Sequence, residues 1–463
     1  MLLKYIYDER LAQASYLLGC ADAGEALVVD PMRDITPYLE LAEANGLKII
    51  HVVETHIHAD YISGGYELAK QTGATLHVSG LGEGDLAYNL EDKSDITINY
   101  LKDNERIQIG GVRVEAFFTP GHTPEHMSYL VYDTGAGDPI GVFSGDCVFV
   151  GDVGRPDLLD AAGLMVDSKE DGARQQFHSI QRMKALPLYL QVWPGHGAGS
   201  ACGKALGAVP STTIGYEKLY NPAFLHHNED AFVDWLLSGQ PEAPRYFAQM
   251  KTVNRVGAES TQNLATPQRL DDSALSEIAQ SALVIDTRNS EDFAEKHVKG
   301  TLNIPFSSNS FSTWAGWYVD YTQPVYLIAD EAQLPAIMTA LQAIGVDNIG
   351  GYFALSAVET GTIQTPQIEP QSAHERDDIM ILDVRGQNER DEEYIADSMF
   401  IPMGDVPSHI AQIPQDKPIV VQCGGGVRSQ VVASILEKHD FEVINLLGGI
   451  SAWKNAGLPL NNN

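Results

Sequence analysis

Glu54-Thr55-His56-Ile57-His58-Ala59-Asp60-Tyr61 follows directly on the apolar run Ile49-Ile50-His51-Val52-Val53. The run reads as a buried strand. Two imidazoles and a carboxylate packed into the loop just past a strand end form a metal-site pattern. Working outward, short apolar runs alternate with longer mixed segments, the rhythm of an α/β protein. Strands are expected near Ala14–Leu18, Glu25–Val29, Ile49–Glu54, Thr75–Val78, Arg106–Ile109, Val112–Phe118, Met127–Val131, Ile140–Ser144 and Leu188–Trp193, with a helix over Pro37–Ala44. Three of these runs end in further polar turns. Thr119-Pro120-Gly121-His122-Thr123-Pro124 follows Val112–Phe118, Gly145-Asp146 follows Ile140–Ser144, and Pro194-Gly195-His196-Gly197 follows Leu188–Trp193. Ligands gather outside strand ends in sheet-built enzymes, so the four turns can converge on one site.

Composition narrows the classes. A chain of 463 residues with 44% hydrophobic and 20% charged residues has the make-up of two to four globular domains. Its net charge of −32, from 62 acidic and 30 basic residues, argues against nucleic acid or an anionic membrane as partner. Cys20, Cys147, Cys202 and Cys423 are too widely spaced for a disulfide framework and suit a reducing, cytoplasmic setting. No apolar run reaches membrane-spanning length, and the opening residues lack a signal-peptide core.

The order T-H-x-H-x-D, G-H, G-D, G-H resembles the metallo-β-lactamase superfamily over about the first half of the chain. The resemblance implies an αβ/βα sandwich with metal at one edge. Dinuclear hydrolases of that superfamily, glyoxalase II among them, continue the first motif with a histidine where this chain has Tyr61, and a phenol is a poor zinc ligand at neutral pH. One metal is therefore expected. The superfamily's persulfide dioxygenases hold a single iron through two histidines and a carboxylate, which map by motif onto His56, His122 and Asp146. Such a set leaves positions open on Fe(II). His58, Asp60 and His196 then stand behind the ligands or go unused, although a set including His58 would suit zinc. Gly151-Asp152-Val153-Gly154-Arg155-Pro156-Asp157-Leu158 resembles the loop bordering the site in persulfide dioxygenases fused to rhodanese domains. Arg155 is a candidate anchor for an anionic persulfide, or the partner of Asp157. Cys202 is either a thiol near the metal or a small buried residue.

Asn221–Gly257 reads as an extension of the first domain, helical around Glu229–Leu237, and the polar stretch Glu259–Pro267 as a linker. An internal repeat follows. Val284-Ile285-Asp286-Thr287-Arg288 recurs as Ile381-Leu382-Asp383-Val384-Arg385, His297–Pro305 as Tyr394–Pro402, and Gly350-Gly351 as Gly448-Gly449. In the second copy a strand leads into Cys423-Gly424-Gly425-Gly426-Val427-Arg428-Ser429, with a helix expected over Gln430–Lys438. Successive N–H groups of a glycine-rich loop at a helix N-terminus form an anion-binding concavity that stabilises a thiolate or a persulfide. The loop resembles the Cys-x-x-x-x-Arg loop of rhodanese sulfurtransferases, with Cys423 the sulfur-carrying nucleophile and Arg428 its fixed charge. A phosphatase of the same fold is the competing assignment, and its loop is about one residue longer. The first copy has Ala329 in place of the thiol and Leu334 in place of the arginine, so it is expected to be inactive.

The expected architecture is a metallo-β-lactamase-like domain over residues 1–257, a degenerate rhodanese-like domain over 268–365 and an active one over 370–463. The resemblance implies oxidation of a low-molecular-weight thiol persulfide by O2 to sulfite and free thiol, then sulfur transfer through Cys423 to give thiosulfate, as in sulfide detoxification. Glutathione, coenzyme A and other cellular thiols all fit as the carrier. A homo-oligomer built through the inactive domain is expected. Two other classes compete: a zinc-dependent thioester hydrolase of glyoxalase II type, and a relay protein in which only Cys423 works.

Overall fold

The computed structural model describes residues 1–158 and 168–462. It forms two compact units, Met1–Leu264 with Gln342–Gly345, and Ala265–Leu341 with Val346–Asn463.

The first unit is built on two six-stranded sheets. One runs β1 (Leu2–Asp8), β2 (Gln13–Cys20), β3 (Glu25–Val29), β4 (Lys48–Val53), β5 (Thr75–Ser79) and β6 (Thr97–Leu101) in that spatial order. β1 to β3 are antiparallel and β3 to β6 parallel. The other runs β12 (Thr212–Thr213), β11 (Gln191–Pro194), β10 (Gly141–Gly145), β9 (Met127–Tyr132), β8 (Val112–Phe118) and β7 (Arg106–Ile109). Only its β10–β11 pair is parallel.

The inner faces meet in a core that includes Leu18, Leu27, Val53, Val114, Tyr129, Phe143 and Trp193. The outer face of the first sheet is covered by helices Thr36–Ala44 and Gly65–Thr72, which contribute Tyr38 and Leu68. The outer face of the second is covered by Lys169–Lys184 and Glu229–Leu237, which contribute Ile180 and Phe232. A sheet that is apolar on both faces needs a layer on each side, and the helix–sheet–sheet–helix stack supplies it. Three strands, β1, β6 and β12, escape sequence reading because they are sheet edges whose residues are mostly half-buried or exposed. The strand expected over Leu188–Trp193 begins only at Gln191, because Leu188 and Tyr189 lie outside the ladder, each 59% exposed.

The second unit carries two small parallel sheets and an antiparallel pair, β14 (His297–Val298) with β18 (Thr362–Ile363). The first has the order β15 (Leu302–Asn303), β13 (Leu283–Asp286), β16 (Val325–Ile328), β17 (Ile349–Phe353). The second has the order β19 (Gln367–Ile368), β23 (Val443–Leu446), β22 (Ile419–Gln422), β20 (Met380–Asp383), β21 (Met399–Phe400). The repeat is visible in local chemistry. Arg288 forks onto Asp286 at the end of β13 as Arg385 forks onto Asp383 at the end of β20. The helix after Cys423 spans Val427–Lys438, longer at its start than the sequence suggests. Its far end is shared by both copies. Glu437 accepts from His297 Nε2 (2.9 Å) and Thr365 Oγ1 (2.8 Å), and Gln430 Nε2 donates to Thr365 Oγ1 (2.9 Å). Among the described residues no helix is long and apolar enough to cross a membrane.

Candidate metal centre and thiol loop

All four polar turns of the first unit leave the C-terminal ends of strands, and they do converge. His56 follows β4, His122 follows β8, Asp146 follows β10 and His196 follows β11. The Nε2 atoms of His56, His122 and His196 lie 3.8, 3.4 and 3.6 Å from Asp146 Oδ2, with every side chain at most 1% exposed.

Hydrogen bonds behind the rings fix which nitrogen is free. Asp30, in the turn after β3, accepts from Thr55 N (2.7 Å) and Thr55 Oγ1 (2.8 Å). The Thr55 hydroxyl proton is thereby committed, so its oxygen accepts from His56 Nδ1 at 2.9 Å. His122 Nδ1 donates to the Arg155 carbonyl (2.8 Å) and His196 Nδ1 to the Ala12 carbonyl (3.1 Å). Each ring therefore offers its Nε2 lone pair to the cluster, the arrangement seen behind metal-bound histidines. Burial holds the pKa of His56 and His122 well below 6.5, keeping both rings neutral, and raises Asp146 to about 6. His122 Nε2 and both Asp146 oxygens are buried without a hydrogen-bond partner. Such atoms are costly unless a cation sits between them, so this donor set fits a metal ion.

Ligand atoms of His56, His122 and Asp146 all lie within 4.8 Å of one another. Asp60, His196 and Cys202 form a second such group, and Asp30, Glu54 and His58 a third. Cys202 is thus buried beside carboxylates, and its thiol is pushed well above the usual pKa by burial first and then by Asp60 and Asp146.

His58 is turned away from the first group. Its Nε2 lies 3.2 Å from Asp30, 3.4 Å from Glu54 and 3.0 Å from the Tyr61 hydroxyl. Burial alone would lower its pKa, but Asp30 and Glu54 raise it to about 10, so the ring is a cation. A raised histidine pKa contributes stability in full below the unfolded value of about 6.5, lost as pH rises through about 10. In metal-free protein the gap in urea midpoint between wild type and His58→Gln should therefore be constant below about pH 6.5 and close between about pH 7 and 10. Tyr61 is held protonated by burial and then by the nearby carboxylates.

Of the two readings of Arg155, the structure shows the pair with Asp157. Its guanidinium forks onto Asp157 at 2.8 and 2.6 Å and donates to the Pro241 carbonyl at 2.6 Å. At 3% exposure it is a structural tie, and only its own carbonyl serves the site, through His122.

Sequence reasoning missed the groups that frame the loop. Ile57 N donates to Glu125 (2.8 Å), and Asp146 N donates to His126 Nε2 (3.0 Å), a ring that burial holds at a pKa of about 3. The helix Phe247–Val256 and the residue before it grip the loop from behind. Asn254 Nδ2 donates to the His58 and Tyr61 carbonyls (2.9 and 2.7 Å), Lys251 Nζ to the Ile57 carbonyl (3.2 Å) and Tyr246 to the Asp60 carbonyl (3.1 Å). Removing the amide in Asn254→Ala should weaken metal affinity by about 10- to 100-fold, read by competition with a chelator.

In the second unit, Cys423 directly follows β22 and is 1% exposed. Its sulfur accepts from Gly426 N at 3.1 Å and lies 3.4 Å from Ser429 Oγ. Gly426 turns the loop into the helix with φ +99°, a conformation that favours glycine. A second helix, Gly449–Asn455, grips the loop from below, its Ile450 and Ser451 N–H groups donating to the Cys423 and Gly424 carbonyls. A Cβ at Gly449 would stand 2.2 Å from the Cys423 oxygen, which explains the double glycine Gly448-Gly449. Gly424, Gly425 and Val427 complete the rim, and Arg428 forks onto Glu389 at 2.6 and 2.7 Å. At the matching place in the other copy Ala329 is fully buried.

The crystal structure of a metallo-β-lactamase from Staphylococcus aureus is 41% identical to this chain, covers 76% of it and 99% of its own chain, and superposes with a TM-score of 0.69. The chain belongs to the metallo-β-lactamase superfamily. The superfamily's model matches residues 8–196, and a rhodanese-like domain matches residues 369–456. Among curated relatives, a hydroxyacylglutathione hydrolase from Methylococcus capsulatus is 28% identical over 244 residues, 51% of this chain and 85% of the relative. The mitochondrial persulfide dioxygenase of Homo sapiens is 25% identical over 199 residues, 42% of this chain and 68% of the relative. The metallo-β-lactamase domain thus presents a His/Asp metal-binding cluster, and the Cys423 loop lies in the rhodanese-like domain.

Proposed function

We propose that this chain oxidises a low-molecular-weight thiol persulfide with O2 at one iron(II) held by His56, His122 and Asp146, and passes sulfane sulfur through Cys423. The work divides among residues 1–257, an inactive spacer at 268–365 and the transferase at 370–463. One persulfide, one O2 and one water give one thiol and one sulfite with two protons. Bound iron(II) would supply electrons to dioxygen and open positions for both reactants. The chain's own residues do the rest. The Asp30–Thr55–His56 relay and the Arg155 carbonyl orient the two imidazoles, and Asn254 and Lys251 fix the loop that carries them.

The observation that carries the proposal is Tyr61. Its hydroxyl is engaged by His58 and its phenol is kept protonated, so the second ligand group gains no imidazole from it. The first group is left as two histidines and a carboxylate, and the attached thiol loop gives the sulfur product a second chemistry.

The grouping of Asp60, His196 and Cys202 favours a second reading, a zinc-dependent thioester hydrolase like the hydroxyacylglutathione hydrolases. Oxygen consumption by iron-loaded protein with glutathione persulfide and with coenzyme A persulfide, alongside metal content, separates the two. Uptake with sulfite release and about one iron per chain supports the dioxygenase. Bound zinc, thioester hydrolysis and no uptake overturn it in favour of the hydrolase.

A further inference from the structure

The arginine at the mouth of the Cys423 loop is not free. Glu389, on helix Gln387–Glu392, takes Arg428 Nη1 on one carboxylate oxygen and Nη2 on the other, at 2.6 and 2.7 Å. The same carboxylate is fixed in place by accepting from Gly386 N at 3.1 Å. The pair stands at the loop beside the thiol: Arg428 Nη2 is 3.2 Å from where a Cβ on Gly424 would be, and Cys423 is among the groups that act on the guanidinium. The neighbouring guanidiniums offer no substitute, because Arg385 and Arg390 are both bound to Asp383. An anion approaching Cys423 therefore meets a guanidinium whose charge is cancelled and whose paired donors are taken.

Two kinds of sulfur donor can load Cys423, and they differ in charge. A thiol persulfide brings a sulfane sulfur with at most one charge at the reacting end. Thiosulfate is a dianion whose sulfonate oxygens need a cationic donor. With thiosulfate, the Cys423 thiolate attacks the sulfane sulfur. A new S–S bond forms, the old one breaks, and its electron pair leaves with sulfite. Three negative charges enter this exchange and three leave, and the dianion must be accommodated throughout.

We propose that Glu389 is a positioning residue that selects the sulfur donor of Cys423: by holding and neutralising Arg428 it favours thiol persulfides over thiosulfate. The same pairing lets thiosulfate leave when it is the product. This rests on the reading of Cys423 as the sulfur carrier.

The test uses full-length protein with cyanide as sulfur acceptor and compares two donors, glutathione persulfide and thiosulfate. In Glu389→Gln, kcat/KM for thiosulfate should rise about tenfold or more, mainly through KM. That for glutathione persulfide should stay within about threefold. Inhibition by thiosulfate during transfer from the persulfide should tighten in parallel. Glu389→Ala, which also removes the Gly386 contact, should shift the donor ratio the same way even if both rates fall. A fall in both rates with an unchanged ratio would show a structural role and overturn the proposal, as would a ratio unmoved in both variants. Intact mass of the wild type after exposure to glutathione persulfide reports the parent reading separately. A sulfur added at Cys423 upholds that reading whatever Glu389 does, and no sulfur from either donor overturns both.

Discussion

Asp146→Ala should empty the metal centre and reduce oxygen uptake to background. Asp146 is the carboxylate toward which three imidazole nitrogens converge, at 3.4 to 3.8 Å, and neither of its oxygens has another partner. Its removal leaves the first group with two neutral donors and no anion, too weak a set to hold a hard divalent ion in competition with water. Metal content should fall from about one to below about a tenth per chain. The fold should persist, because Asp146 is held by its backbone: its N–H donates to His126 Nε2 and its carbonyl accepts from Gly154 N. Circular dichroism unchanged beside lost metal is the expected pattern. Full metal retention in the variant would remove Asp146 from the ligand set.

Cys423→Ser should abolish sulfur transfer while leaving oxygen uptake within about twofold of wild type. Serine keeps the shape of the buried site, and its hydroxyl can still accept from Gly426 N. An alcohol, however, neither ionises under these conditions nor carries a sulfane sulfur. With glutathione persulfide as substrate, sulfite should then accumulate in place of thiosulfate. Loss of oxygen uptake in this variant would mean that the two reactions are not separate.

The residues that could be read from sequence share one property: they sit in turns immediately after apolar runs. His56, His58, Asp60, His122, Asp146 and His196 all announce themselves in this way, and so does Cys423. Asp30 obeys the same rule, in the turn after Glu25–Val29, and a stricter search of strand ends would have found it. Lys251, Asn254 and Glu125 could not be found so, because they act across long sequence separations by touching backbone atoms of the loop. Backbone carbonyls leave no mark on the residue that satisfies them. Arg155 shows the reverse limit: charge and position left substrate anchor and Asp157 partner equally open, and only its bonds to Asp157 and Pro241 assign it to the scaffold. Glu389 sits in a helix of ordinary polar composition, and only the distance to Arg428 distinguishes it.

The copy with Ala329 at the matching place still holds the far end of the helix that follows Cys423. Glu437 is 8% exposed, and its carboxylate oxygens are met by His297 and Thr365, residues that precede the rhodanese-like segment 369–456 in the chain. Cutting the chain at the domain border would strip a buried carboxylate of both partners and unsettle the helix whose first turn frames Cys423. The two copies are therefore no longer interchangeable modules.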